Sequence, residues 1–361
     1  MSGLNAQIAR WIPAELRARS PYRVADASGY VKLDAMENSY VWPESLVSAW
    51  LEALRGVSVN RYPDPTAGPL KQRLREVMGL PGWAGLILGN GSDELIQLVA
   101  LALRAPGRVV MAPEPTFVVY RMAAAAAGLR YAPIPLAGDD FDLPVAGMVA
   151  EIQRRRPAVV FLARPNNPTG ALYAEEAVHA VLDAAPGLVV VDEAYQPFAQ
   201  ASMLSSLERF PSLLILRTLS KLGLAGLRLG LLVGRREWLD EIDKLRLPYN
   251  IGALTQASAE VALRHYSVFE GQVAEIRSAR DALFRELAAL NSLRVWPSRA
   301  NFLLFRVPPG RAGAVDAGLR ARGILVKNMD GTSALLADCL RVTVGTPQEN
   351  RAFLEAIKAV L

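Results

Sequence analysis

The sequence predicts an α/β fold. It has a large domain over residues 45–250, with a mainly parallel central sheet flanked by helices, and a smaller α+β domain built from residues 1–44 and 251–361. Three observations lead there. A chain of 361 residues exceeds one typical compact core. From about Trp83 to Gly234, short apolar runs alternate with helical patterns, as in a parallel sheet covered on both faces. After Pro248 long helical patterns take over, and short strand-like segments return only later.

Each element follows from its residues. Continuous apolar runs mark strands at Leu86–Leu88, Val109–Ala112, Tyr131–Ile134, Val159–Leu162, Leu188–Val191, Leu213–Leu216 and Leu229–Val233. Helical spacing between them covers Asp93–Leu103, Thr116–Ala127 and Ala174–Ala184. In the second part, helices are expected at Leu254–Arg264 and about Val268–Leu290, and strands at Phe302–Arg306, Ile324–Val326 and Leu340–Val344. Pro347–Val360 closes the chain as a helix.

Composition excludes several functions. Hydrophobic residues make up 52% and charged residues 21%, the balance of a globular protein. The net charge of +5 is spread along the chain without a basic, aromatic-rich stripe, so nucleic acid is not an expected partner. Leu222–Gly234, the most hydrophobic later stretch, is too short to span a membrane and contains Arg228. Arg10, Glu15, Arg17 and Arg19 interrupt the early apolar residues, so no signal peptide is read there. A single cysteine, Cys339, fits a reducing compartment, and a cytoplasmic protein is expected. With only His179 and His265, a histidine-based hydrolase or metal site is not expected. The chemistry falls to lysine, carboxylate or a cofactor.

Six lysines stand against 34 arginines, and Lys221 is set apart by its surroundings. It follows the strand Leu213–Leu216 and precedes the glycine-rich segment Gly223–Arg228. Burial there lowers an amine pKa and makes it a usable nucleophile. Alone, such a lysine reads more readily as a solvated loop residue. Asp192 ends the run Leu188–Val191, where a buried carboxylate needs a cationic partner or else serves as a helix cap. Asn167 follows another apolar strand, in Asn166-Asn167-Pro168-Thr169-Gly170. Gly89-Asn90-Gly91-Ser92-Asp93-Glu94 leads from a strand into a helix, a setting that can hold a phosphate. Ligands gather at the carboxyl ends of strands in open α/β sheets, so these signals form one constellation.

Together, Ser220-Lys221 with Arg228, Asn167-Pro168-Thr169-Gly170 and Asp192-Glu193-Ala194-Tyr195 resemble the signature set of fold type I pyridoxal-5'-phosphate (PLP) aminotransferases, the aspartate aminotransferase superfamily. Leu33-Asp34-Ala35-Met36-Glu37-Asn38, Arg61-Tyr62-Pro63-Asp64, Gly89 to Ile96 and Cys339 to Gly345 resemble the histidinol-phosphate aminotransferase family within it, over nearly the whole chain.

The resemblance implies a role for each matching residue. Lys221 carries PLP as a Schiff base and shuttles a proton, while Asp192 keeps the pyridine nitrogen protonated. Asn167 and Tyr195 serve the phenolic oxygen, and Phe117 stacks on the ring, at a position often held by tyrosine in relatives. Ser220, Arg228, Thr218 and the backbone of Ser92 and Asp93 hold the phosphate. Tyr62 reaches the phosphate from a neighbouring subunit, implying a homodimer with shared sites. Arg341 grips the substrate's anionic group, and Tyr22, Asn38 and Lys327 match substrate-side positions; Lys327 is often arginine in relatives. The implied reaction passes an amino group between histidinol phosphate and glutamate/2-oxoglutarate. An aromatic amino-acid aminotransferase or a threonine-phosphate decarboxylase stays open on the same fold. A PLP-binding regulator would usually add a DNA-binding module, and none is recognisable in these residues.

Overall fold

In the computed structural model, which describes residues 3–18, 20–21 and 25–361, the strands in chain order are β1 (Val31–Lys32), β2 (Gly85–Asn90), β3 (Val109–Glu114), β4 (Arg130–Pro135), β5 (Val159–Ala163), β6 (Leu188–Asp192), β7 (Leu213–Thr218), β8 (Leu229–Gly234), β9 (Arg294–Val295), β10 (Phe302–Arg306), β11 (Ile324–Leu325), β12 (Lys327–Asn328) and β13 (Cys339–Thr343). The large sheet has the order β2-β8-β7-β6-β5-β3-β4. Its strands β7, β6, β5, β3 and β4 run parallel, and β8 runs antiparallel to both β7 and β2. The reversal has a local cause. A parallel crossover needs a dozen or more residues, and the stretch from Leu219 to Arg228 is too short to provide one.

Every residue of β5, β6, β7 and β8 is buried, which explains the continuous apolar runs in the sequence. Alternate residues point to opposite faces. Val159 and Phe161 join a core under the helices Ser92–Ala102, Val119–Ala126 and Arg236–Asp243. Val160 and Leu162 join the core on the other side, with Met148, Ile152, Val178 and Val181.

A second, antiparallel sheet has the order β12-β13-β10-β9. The early segment is tied to this late part of the chain. β1 pairs in parallel with β11, the Thr343 N–H donates to the Leu33 carbonyl (2.8 Å), and the Met36 N–H donates to Thr343 Oγ1 (2.9 Å). Residues 33–38 are thereby strapped across the carboxyl edge of the large sheet. Among the described residues, no helix is long and apolar enough to cross a membrane.

Helix boundaries differ from expectation by a residue or two, with one larger change. The helix expected from Thr116 begins at Val119. Thr116 instead donates its hydroxyl to Asn166 Oδ1 (2.8 Å), which holds residues 116–118 against the end of β5.

Candidate active site

Three polar residues meet where β5, β6 and β7 end. Asp192 is the last residue of β6 and pairs in register with Leu216 of β7; Lys221 lies just past β7, and Asn167 just past β5. Parallel strands in register bring their carboxyl ends together, so the spacing of the apolar runs in sequence becomes proximity in space. One cleft is lined by Asp192, Lys221, Asn167, Tyr195, Phe117 and Met36, and by Ser92, Asp93, Thr218, Ser220 and Arg228.

Asp192 is 4% exposed. Its Oδ2 accepts from the Tyr120 hydroxyl (2.7 Å) and its Oδ1 from the Ala194 N–H (3.0 Å). Burial pushes its carboxyl up to about 6, and the nearby Asp93 and Glu193 carboxylates add to this, while the two hydrogen bonds oppose it. The adjoining Glu193 is fully committed elsewhere, paired with Arg217 of β7 (2.9 Å) and accepting from Ser202 and the Met203 N–H. That buried pair clamps the ends of β6 and β7 together.

Lys221 is half-buried, with Nζ donating to the Ala35 carbonyl (3.2 Å) and lying 5.9 Å from the Tyr195 ring centre. Burial pulls its ammonium down to about 8, Arg341 and Arg228 push the same way, and Glu37 and Asp93 oppose them. At pH 7 that leaves about a tenth of the amine neutral, far more than an ordinary lysine offers, and the neutral form is what a nucleophile needs. Tyr195 is 5% exposed, accepts from Asn167 Nδ2 (3.3 Å), and is held above the ordinary tyrosine range by burial.

The other end of the cleft is built for an anion. The helix Ser92–Ala102 begins there, so its first N–H groups and its dipole face the opening. Gly91 has φ 79°, and a Cβ at that position would lie 2.5 Å from the Arg228 guanidinium. Arg228 pairs with Asp93 (3.1 Å), with both side chains nearly half exposed. A pair so exposed is worth about 0–1 kcal/mol, so an arriving anion can displace Asp93 cheaply. Thr218 Oγ1 and Ser220 Oγ lie 2.9 Å apart on the same rim.

The second sheet supplies the facing wall. Arg341, on β13, is 6% exposed, donates to the Asp34 carbonyl (2.8 Å) and to Asn167 Oδ1, and lies over the Phe302 ring (5.4 Å). Lys327 stands directly opposite it in the ladder, placing two cations on one face. Asn38 lies outside the cleft wall: its amide donates to Gln272 (2.8 Å) and to the Leu222 carbonyl (3.3 Å), behind the Lys221 turn. Tyr62 is 81% exposed and stacks on Tyr249 (4.4 Å), away from the cleft of its own chain. Tyr22 lies outside the described residues.

Two contributions escaped the sequence reading. Tyr120, on the helix Val119–Ala126, is fully buried and holds Asp192. The available signal was a tyrosine on an otherwise apolar helix, since a buried phenol needs a partner for its hydroxyl. The strap 33–38 brings Met36, the Ala35 carbonyl and the Asp34 carbonyl to the site, which only its pairing with the late strands reveals.

The family profile Aminotransferase class I and II matches residues 28–357. Histidinol-phosphate aminotransferase 2 of Nitrosococcus oceani is 54% identical over 353 residues, spanning 98% of each chain. Histidinol-phosphate aminotransferase of Chromobacterium violaceum is 48% identical, spanning 98% of this chain and 99% of its own. Among solved structures, histidinol-phosphate aminotransferase from Sinorhizobium meliloti in complex with pyridoxal-5'-phosphate superposes with a TM-score of 0.83 at 27% identity, covering 91% of this chain and 90% of that one.

Proposed function

Since this chain belongs to the aminotransferase class I and II family, we propose that it converts histidinol phosphate and 2-oxoglutarate to imidazole-acetol phosphate and glutamate in histidine biosynthesis. The cofactor is pyridoxal 5'-phosphate, held at Lys221. The observation that carries this reading is the half-buried Lys221 amine sharing one cleft with Asp192 and an anion-ready helix start, in a chain similar over its length to enzymes of that name.

The residues present fit the cofactor. Asp192 is a desolvated carboxylate with no cationic hydrogen-bond partner among the described residues, and a protonated ring nitrogen supplies one. Once bound, pyridoxal phosphate provides an aldehyde that condenses with amines and a ring that takes up electron density. The remaining work belongs to the chain. Lys221 would hold the cofactor and, when released, carry a proton at Nζ, for which a pKa near 8 suits it. Asn167 and Tyr195 would donate toward the phenolic oxygen, and Phe117 would cover one ring face. Ser92, Asp93, Ser220, Thr218 and Arg228 would hold the phosphate.

The two substrates present different anions, a phosphate ester and a carboxylate. Arg341 suits both because its planar fork pairs in bidentate fashion with either. Lys327 beside it, and Tyr22, would serve the bulkier phosphate, and Asn38 would buttress this side of the site from behind the Lys221 turn. The protein would act as a cytoplasmic homodimer. Tyr62, Tyr249, Val59 and Leu247 are all exposed, which suits an apolar interface through which Tyr62 reaches the partner's phosphate site.

The test is product analysis of the purified protein with histidinol phosphate and 2-oxoglutarate. Glutamate and a keto product are expected, and release of CO2 in their place would overturn the reaction class. Borohydride should trap the cofactor on the native chain but not on Lys221→Ala.

A further inference from the structure

Asp192 has two oxygens, and the structure treats them differently. Oδ1 is held by a backbone N–H of its own loop, Ala194. Oδ2 is held by Tyr120, a residue 72 positions earlier on a helix that packs on the sheet. The Tyr120 ring has little freedom. It is fully buried, stacks on Phe161 of β5 with centroids 4.8 Å apart and planes 6° apart, and meets the Phe117 edge at 5.7 Å and 87°. Its hydroxyl is aimed at Asp192 at 2.7 Å, a short, charge-assisted distance.

We propose that Tyr120 is a positioning residue for the cofactor ring: its hydroxyl fixes the orientation of the Asp192 carboxylate and sets how strongly that carboxylate binds a proton. The idea depends on the pyridoxal phosphate reading only for what Asp192 meets; the Tyr120–Asp192 coupling stands without it. Tyr120 can only donate in this pair, because burial and the facing carboxylate hold its phenol far above the ordinary tyrosine range. The other charged or titratable groups near Asp192 include Asp93 on the helix Ser92–Ala102, Glu193 in its own loop and Tyr195 just beyond, with Lys221 and Arg228 lining the same cleft. Both carboxylates favour the protonated form of Asp192, and Glu193 is already committed to Arg217. Of the two hydrogen bonds that favour the Asp192 anion against its burial, the one from Tyr120 comes from a side chain. Through Phe117, the same ring also supports the residue proposed to cover the cofactor face.

The test is made first on cofactor-free protein. With aspartate labelled in its carboxyl carbon, and the Asp192 signal assigned by its loss in Asp192→Asn, the titration midpoint is read by NMR in the native chain and in Tyr120→Phe. The phenylalanine keeps the ring and its stacking and removes only the donor. The midpoint should rise by about one pH unit or more, the shift expected from losing a hydrogen bond to a charged group. The same variant should bind pyridoxal phosphate roughly twofold more weakly at pH 7, since a one-unit rise from about 6 leaves about half of Asp192 neutral there, and the gap should widen toward pH 6. An unchanged midpoint would overturn the proposal.

If Tyr120→Phe does not fold, the Asp192→Asn background decides. Folding recovered there traces the defect to an uncompensated carboxylate and supports the coupling, whereas failure in both backgrounds makes the hydroxyl a general packing element and refutes it. The cofactor reading is checked separately, by borohydride trapping at Lys221 in the native chain. Its failure would leave the titration result standing.

Discussion

A single methyl group at position 230 probes the anion end of the cleft with little else disturbed. Gly230 lies in β8 opposite Gly89 of β2, where the chain turns from β2 into the helix Ser92–Ala102. A Cβ there would fall 2.5 Å from the Gly91 carbonyl carbon and 2.5 Å from the Ser92 amide nitrogen. Both are backbone atoms, so no side chain can rotate away. Ordinary contact begins near 3.4 Å, and 3.4 less 2.5 leaves about 0.9 Å by which the Gly91–Ser92 peptide must retreat.

Overpacking of this kind costs about 1–3 kcal/mol of stability. The Ser92 N–H is one of the donors assigned to the cofactor phosphate, and a hydrogen bond of about 2.9 Å lengthened by that amount is lost. One charge-assisted bond is worth about 1.5–3 kcal/mol, so Gly230→Ala should bind pyridoxal phosphate roughly ten- to a hundredfold more weakly. Gly234→Ala is the comparison: on the same strand its Cβ would meet Leu214 Cδ2 at 2.3 Å and the Leu213 carbonyl at 3.1 Å, away from the anion end. Urea unfolding of the cofactor-free proteins should show both variants destabilised. Spectroscopic titration with pyridoxal phosphate should single out Gly230→Ala, and equal affinities in the two variants would refute the assignment of this turn to the phosphate.

Arg341→Ala should slow both half-reactions, by about 2–5 kcal/mol for a desolvated ion pair, while Lys327→Ala should weigh more on the histidinol-phosphate half. Single-turnover rates decide it, and a normal glutamate half-reaction in Arg341→Ala would sink the shared-anion idea. Asp192 has a folded-state pKa near 6 against an ordinary 3.8, so the native state binds its proton more tightly than the unfolded chain does. Its stability cost is absent below pH 3.8, grows between 3.8 and 6, and is complete above 6. Asp192→Asn should therefore stabilise the cofactor-free protein above pH 6 by up to about 3 kcal/mol, with the gain fading as the pH falls toward 4; urea melts showing the same gain at both ends would contradict this. Hybrids of Lys221→Ala with Tyr62→Phe subunits should regain activity, because one site carries both lesions and the other neither. Subunit exchange without recovery would remove Tyr62 from the neighbouring site.

Much of the site was legible because it sits where strong local patterns stop. Runs such as Leu188–Val191 and Leu213–Leu216 are apolar throughout since both faces of those strands are buried. The first polar residues beyond them, Asp192 and the Lys221 turn, therefore stand out at the carboxyl ends. Phe302–Arg306 and Pro347–Val360 were likewise readable to the residue, and the structure adds that Thr346 caps the second of them.

What the sequence by itself determined was thus the element types, the sheet class and the residues left at strand ends, because burial and backbone period act over consecutive positions. The tertiary structure alone decided who meets whom. β1 and β11 are two residues each, too short to show any period, yet their pairing carries the strap 33–38 to the cleft. The Tyr120–Asp192 bond spans 72 positions and the Arg341–Asn167 bond 174, and Tyr62 faces away from the cleft of its own chain. Such contacts depend on how whole layers stack, and no local pattern encodes the distance between two side chains that separate elements bring together.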